Sequence, residues 1–123
     1  MPEMTIQRAF ELAVEHHNAT RLADAEALYR QIVAHQPGHA DAMHMLGVIA
    51  LQVGKNEAAV EWISRAIAIN RSVPHYYNNL GLALTQLGRF EEATAHLRKA
   101  LQLTELKSER SFLSKRLQEF DSQ

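Results

Sequence analysis

The chain has 123 residues and a formal net charge of −1 from 13 basic and 14 acidic side chains, a balance that excludes a basic nucleic-acid surface. Cysteine is absent, so disulfides, thiolate metal sites and a cysteine nucleophile are excluded. No apolar run approaches the roughly 18 residues of a membrane span, and Met1-Pro2-Glu3-Met4-Thr5 lacks the basic-then-apolar plan of a signal peptide; the expected location is cytoplasmic, without a membrane partner.

From about Met4 to His17, the residues Ile6, Ala9, Phe10, Leu12, Ala13 and Val14 have the spacing of a helix with a broad apolar face. Asn18-Ala19-Thr20-Arg21 breaks it. Leu22, Ala25, Leu28, Tyr29, Ile32 and Val33 then mark a second helix, which Gln36-Pro37-Gly38-His39 ends. A second pair runs from about Ala40 to Ile69, with Met43, Leu46, Gly47, Ile49, Ala50 and Val53 on one helix. Gly54-Lys55-Asn56 is its turn, and Ala59, Val60, Trp62, Ile63, Ala66, Ile67 and Ile69 belong to its partner. Asn70 to Pro74 separates a third pair, with Tyr77, Leu80, Gly81, Leu84 and Leu87, the turn Gly88-Arg89, then Phe90, Ala93, Leu97, Ala100, Leu101 and Leu103. A last segment, about 108–120, carries Leu113, Leu117 and Phe120 on one stripe beside Phe112, and its remaining surface is charged. Such a segment suits the end of a stack, where one face meets protein and the other water. The expectation is all-α: three antiparallel hairpins and a capping helix, seven helices in a single domain, with residues 121–123 frayed.

The hairpins repeat. Leu80-Gly81 lies 34 residues after Leu46-Gly47, Gly88-Arg89 lies 34 after Gly54-Lys55, and Ala25, Ala59 and Ala93 keep the same step. A fixed period of this length is the signature of a helical array. Gly47 and Gly81, with the alanines, fall where two helices of a hairpin must cross closely, so a larger side chain there forces them apart.

These residues resemble the tetratricopeptide repeat, a 34-residue helix–turn–helix unit with size-restricted positions. In one phase, the third unit supplies Tyr77, Leu80, Gly81, Leu84, Ala93, Leu97, Ala100 and Glu105. The second supplies Met43, Leu46, Gly47, Ala50, Ala59, Ile63, Ala66 and Arg71, and the first Ala9, Leu12, Ala13, His16, Ala25, Tyr29, Ile32 and Pro37. The resemblance covers about residues 4–107, with repeats at about 6–39, 40–73 and 74–107. Only the first unit keeps the closing proline, and His16 stands where the family prefers an aromatic residue. The resemblance implies a right-handed α-solenoid that binds a protein or peptide in the groove lined by the first helix of each hairpin.

That groove is then lined by Gln7, Phe10, Val14 and His17; Asp41, His44, Val48 and Leu51; His75, Asn78, Leu82 and Thr85, with Glu11, Met45 and Asn79 nearer its edge and Gln86 as a further hydrogen-bonding side chain. Family members that take acidic C-terminal peptides use a clamp of Lys, Asn and Arg. Here the matching places hold Phe10, Val14, Met45, His75 and Asn79, so clamp chemistry is not expected. The wording of the repeats is also similar to bacterial arrays that precede O-GlcNAc-transferase-like (SPINDLY-type) domains, although only Asn79, with Asn78 beside it, fits the asparagine ladder of that subgroup. The groove is expected to accept an extended or helical segment through Phe10, Val14, Val48, Leu51 and Leu82, with hydrogen bonds from Asn78, Asn79 and Gln86. An exposed apolar groove equally suits a second copy, so a homo-oligomer is a further expectation.

Chemistry finds little support. Seven histidines invite a metal reading, but Pro37-Gly38 separates His35 from His39, His16 and His17 point apart, and polar surface roles account for His44 and His75. No Gly-x-Ser-x-Gly, phosphate-binding Gly-rich loop or His-Glu-x-x-His is present. Glu57, Glu61, Glu91 and Glu92 lie among Lys55, Arg65 and Arg89 as solvated pairs. Trp62 lies beside the core register and reads as a partly buried packing residue rather than an outer binding hot spot. No enzyme activity, cofactor or metal is expected.

Overall fold

The structure, a computed structural model, describes residues 4–121, and the side chains at 120 and 121 lie outside the described set. Among the described residues six helices follow one another: α1 (Ile6–Asn18), α2 (Leu22–His35), α3 (Ala40–Gln52), α4 (Asn56–Ile69), α5 (Pro74–Gln86) and α6 (Phe90–Asp121). Among the described residues there is no strand. Successive helices pack as antiparallel pairs, and α3 and α5 each pack on the helix before them, forming a solenoid.

Each hairpin closes in the same way. Gly54 (φ 80°) and Gly88 (φ 78°) adopt the left-handed conformation after α3 and α5. Lys55 N donates to Ala50 O at 2.8 Å and Arg89 N to Leu84 O at 2.9 Å, the wrapped ending that satisfies the last carbonyls of a helix. The first hairpin makes the equivalent bond, from Arg21 N to His16 O at 2.9 Å. There Thr20 takes the left-handed position at φ 61°, which a β-branched residue adopts only at a cost. Chain entry is fixed by Thr5, whose hydroxyl accepts from Arg8 N at 3.0 Å, by His39, whose Nδ1 accepts from Ala42 N at 3.1 Å, and by Pro74 at the start of α5.

Within the hairpins, small residues set the helix separation. A methyl group built on Gly47 would overlap Ile63 Cγ1, and one on Gly81 would stand 2.6 Å from Leu97 Cγ. Both lie well inside van der Waals contact, so the crossing depends on the missing side chain. In the first hairpin Ala13 occupies this place against Tyr29, and both are fully buried. The core between hairpins is built on the same residues. Tyr29 and Ile63 are 0% exposed, whereas Leu97, their equivalent in the third hairpin, is 40% exposed because no further first helix covers it.

The expected count of seven helices is corrected to six. The segment expected to form a separate cap continues α6, which is 32 residues long against 14 each for α2 and α4. Leu103-Thr104-Glu105-Leu106-Lys107-Ser108 holds neither glycine nor proline, so nothing stops the hydrogen-bond ladder. The Thr104 hydroxyl bonds back to Ala100 O at 2.9 Å without breaking it. Leu113 and Leu117 consequently do not pack on the third hairpin and are 57% and 64% exposed. Phe120, expected on the same stripe, has its side chain outside the described residues, as do Ser122 and Gln123 of the segment expected to fray; Asp121 is helical.

Two outcomes are expected from thermal or urea unfolding. Gly47→Ala should destabilise by about 1–2 kcal/mol, because Ile63 is enclosed and cannot give way, whereas Gly81→Ala should be close to neutral, because half-exposed Leu97 can turn outward while alanine favours the helix. Thr20→Gly should stabilise by about 1 kcal/mol by removing the left-handed strain of a branched residue.

Candidate functional site

The first helices α1, α3 and α5 run side by side because each is followed by an antiparallel partner and a short connection. Their neighbouring faces are tied by polar pairs that recur at a separation of 35 residues. His17 Nε2 meets Gln52 Oε1 at 2.5 Å, the Tyr76 hydroxyl donates to Asp41 Oδ1, and Asn79 Nδ2 meets His44 Nε2 at 2.8 Å. The step is one repeat plus one residue. It arises because a side chain on one first helix meets the next helix one position beyond its own equivalent.

The His44–Asn79 pair is part-buried. Its imidazole is 8% exposed and lies on the Tyr76 ring, with centroids 4.6 Å apart. Burial holds its pKa down at about 4, with His75 acting in the same direction and the Asp41 carboxylate opposing. A neutral ring with an unprotonated Nε2 can accept the Asn79 amide hydrogen, so the hydrogen bond and the lowered pKa agree. Burial and the bond to Asp41 both push the Tyr76 phenol above its ordinary range. The hydroxyl therefore remains a donor.

The residues expected to line a groove divide into three groups. Leu51, Leu82 and Gln86 come together with Gln52, Gly54 and Asn56 around a shallow depression of about 360 Å³ between the C-terminal ends of α3 and α5. His75 and Asn78 lie elsewhere, with Pro74, Leu97, Ala100, Leu101 and Thr104 around a depression of about 410 Å³ between α5 and α6. The remainder are engaged in packing. Phe10 meets the Tyr29 ring edge-on at 5.6 Å and stacks on His39 at 5.4 Å. His17, His44 and Asn79 belong to the ties just described. Val14 and Val48 are partly buried, and the exposed Thr85 donates its hydroxyl to Gly81 O at 2.8 Å.

Sequence reasoning missed Asp41–Tyr76 and the role of Gln52 as structural pairs. The available signal was chemical complementarity at a 35-residue offset, next to the 34-residue one that marks equivalent positions. Trp62 is partly buried on the outer side, with the Arg65 guanidinium 4.6 Å and the Arg30 guanidinium 5.6 Å from its ring. It lines a cleft of about 400 Å³ with residues including Leu22, Glu26, Arg30, Ile49 and Val53. No group of three or more His, Asp or Glu able to hold a metal occurs among the described residues, and none of their helices is long and apolar enough to cross a membrane.

Comparison with known proteins matches residues 10–75 and residues 75–107 to tetratricopeptide repeat family models. A crystal structure of MamA is similar at a TM-score of 0.79 and 24% identity, over 85% of this chain and 61% of that one. The second tetratricopeptide domain of Spaghetti (RPAP3), bound to the HSP90 peptide SRMEEVD, is similar at a TM-score of 0.77 and 20% identity, over 80% of this chain and 91% of that one. An O-GlcNAc transferase from Thermobaculum terrenum is similar at a TM-score of 0.77 and 26% identity, over 80% of this chain and 19% of that one. The chain thus spans about three fifths of the MamA structure it matches, and no curated protein matches it.

The buried imidazole gives the stability a pH dependence. His44 has a folded pKa of about 4 against an ordinary 6.5. The unfolded chain therefore binds more protons between these values, and stability falls as pH drops through that window. The loss should approach about 3 kcal/mol by pH 4, since each tenfold difference in proton affinity is worth about 1.4 kcal/mol. Urea unfolding from pH 7.5 to 4 should show a steeper decline in the natural protein than in His44→Gln.

Proposed function

Because this chain belongs to the tetratricopeptide repeat family, we propose that it is a non-catalytic interaction module. Its hairpins at 6–39, 40–73 and 74–107 form one domain, and α1, α3 and α5 present a protein or peptide with a common face. The right-handed superhelix of the family would turn that face inward as a groove. The observation that carries the reading is the depression where Leu51 and Leu82, from successive first helices, lie beside the amides of Gln52, Gln86 and Asn56. Two apolar contacts flanked by amides suit a segment with a hydrophobic side chain and free backbone groups.

The ligand differs in chemistry from the acidic HSP90 peptide carried by the RPAP3 domain. Phe10, Val14, Met45, His75 and Asn79 place no lysine or arginine where a carboxylate clamp would need one. Of the groove positions, Leu51, Leu82 and Gln86 offer the main contacts, with His75 and Asn78 at the separate depression beside α6. Phe10, Val14, His17, His44, Val48 and Asn79 shape the floor.

A second reading has one observation in its favour. The similarity to an O-GlcNAc transferase, over 19% of that chain, supports a substrate-recruiting or regulatory segment of a larger enzyme such as a glycosyltransferase. The two readings share the groove and differ in what is attached to it.

Panning a random peptide library on the protein, then titrating labelled selected peptides by anisotropy, tests the groove. Leu51→Ala with Leu82→Ala should weaken binding tenfold or more, since each buried leucine contributes roughly 1.5–3 kcal/mol. Equal binding by the double variant, or selection of peptides dominated by acidic C-termini, would refute the assignment.

A further inference from the structure

From the end of the third repeat onward, α6 carries a pattern that the groove does not account for. Leu103, Leu106, Arg110, Leu113 and Leu117 follow one another at steps of three, four, three and four. This is the alternation of a coiled-coil seam, which keeps one stripe on one side of a helix. The helix is unbroken across it. Leu103 is partly buried, but Leu106, Leu113 and Leu117 are 48%, 57% and 64% exposed, so the distal stripe is open to a partner. To fold back as a cap, the helix would have to break within a segment that has no glycine or proline.

We propose that distal α6 is a self-association surface, on which two copies of this chain pair as a short antiparallel coiled coil. Charge placement selects both the occupant and the direction. With the copies antiparallel, Leu106 lies opposite Leu117 of the partner subunit, and Arg110 lies opposite Leu113 of the partner subunit. Glu109 then flanks the seam facing Arg116 of the partner subunit, and by two-fold symmetry the attraction occurs twice. A parallel pair would instead place two Arg110 side chains in one layer, and Glu109 would face Ser114 of the partner subunit. Arg116 leans over the Phe112 ring at 5.7 Å, where its exposed guanidinium remains within reach of the seam. Antiparallel pairing also sends the two sets of hairpins to opposite ends, away from each other. The surface is separate from Leu51 and Leu82, so both grooves remain open in the dimer.

Light scattering and sedimentation equilibrium on the whole chain, over a concentration series, test the proposal. The natural protein should rise with concentration towards twice the chain mass, and Leu113→Glu should stay at the chain mass throughout. Glu109→Arg alone should weaken the dimer roughly tenfold, and Glu109→Arg together with Arg116→Glu should restore it, because flanking charges set partner choice and orientation. Leu51→Ala with Leu82→Ala should leave the dimer intact. A natural chain that is monomeric into the millimolar range overturns the proposal. So does a dimer that survives Leu113→Glu, ignores the charge exchange, or is lost in the groove variant.

Discussion

The fold depends on how closely the two helices of each hairpin approach. At Gly47 there is no room for a methyl group against enclosed Ile63, and at Gly81 there is room only if Leu97 turns outward. The separation set there determines where Ile63 and Leu97 stand, and hence the surface on which a following hairpin can pack. In the first hairpin Ala13 and Tyr29 meet the same demand with a different pair of volumes. Because each hairpin buries its second helix only when a neighbour covers it, stability is shared along the stack. The last hairpin lacks that cover, and Leu97 and Leu101 remain 40% and 59% exposed.

The polar ties between first helices add register to this packing. His17–Gln52, Asp41–Tyr76 and His44–Asn79 each join one repeat to the next. A hydrophobic interface alone tolerates small slips, whereas the part-buried pairs Asp41–Tyr76 and His44–Asn79 are satisfied in one arrangement. The same side chains lie along the face proposed to take a ligand, and part of that face is therefore occupied with holding itself together. The area left for recognition is concentrated around Leu51, Leu82 and Gln86.

The two ends of the stack are built differently. At the places where α3 buries Ala42 and Ile49, and α5 buries Tyr76 and Ala83, α1 carries Arg8 and Glu15, exposed and paired at 3.5 Å. That face of α1 suits water. At the other end α6 runs past the hairpin with a leucine stripe that is about half exposed or more from Leu106 onward. A helix with one apolar stripe and a charged remainder is stabilised by packing rather than by propensity. This asymmetry is the physical ground for assigning the distal segment to association.

Much of the fold is legible in the chain. The 34-residue step, the small residues at the crossings and the glycines at the turns are local or periodic demands, and each names its own residue type. They determine the three hairpins and the identity of the core, with Tyr29, Ile63, Leu80 and Leu84 among its members. The interior of α6 misleads, because an apolar stripe after a complete repeat looks like a new element. No breaking residue separates it, and helix continuity is decided by the backbone ladder rather than by the stripe. The site is legible only in part. Position within a repeat says which helix face a side chain occupies, but not what the neighbouring helix offers it. That His44 is engaged with Asn79, while partly buried Leu51 and exposed Leu82 meet at one depression, depends on the one-residue offset between adjacent first helices. That offset exists only once the hairpins are stacked.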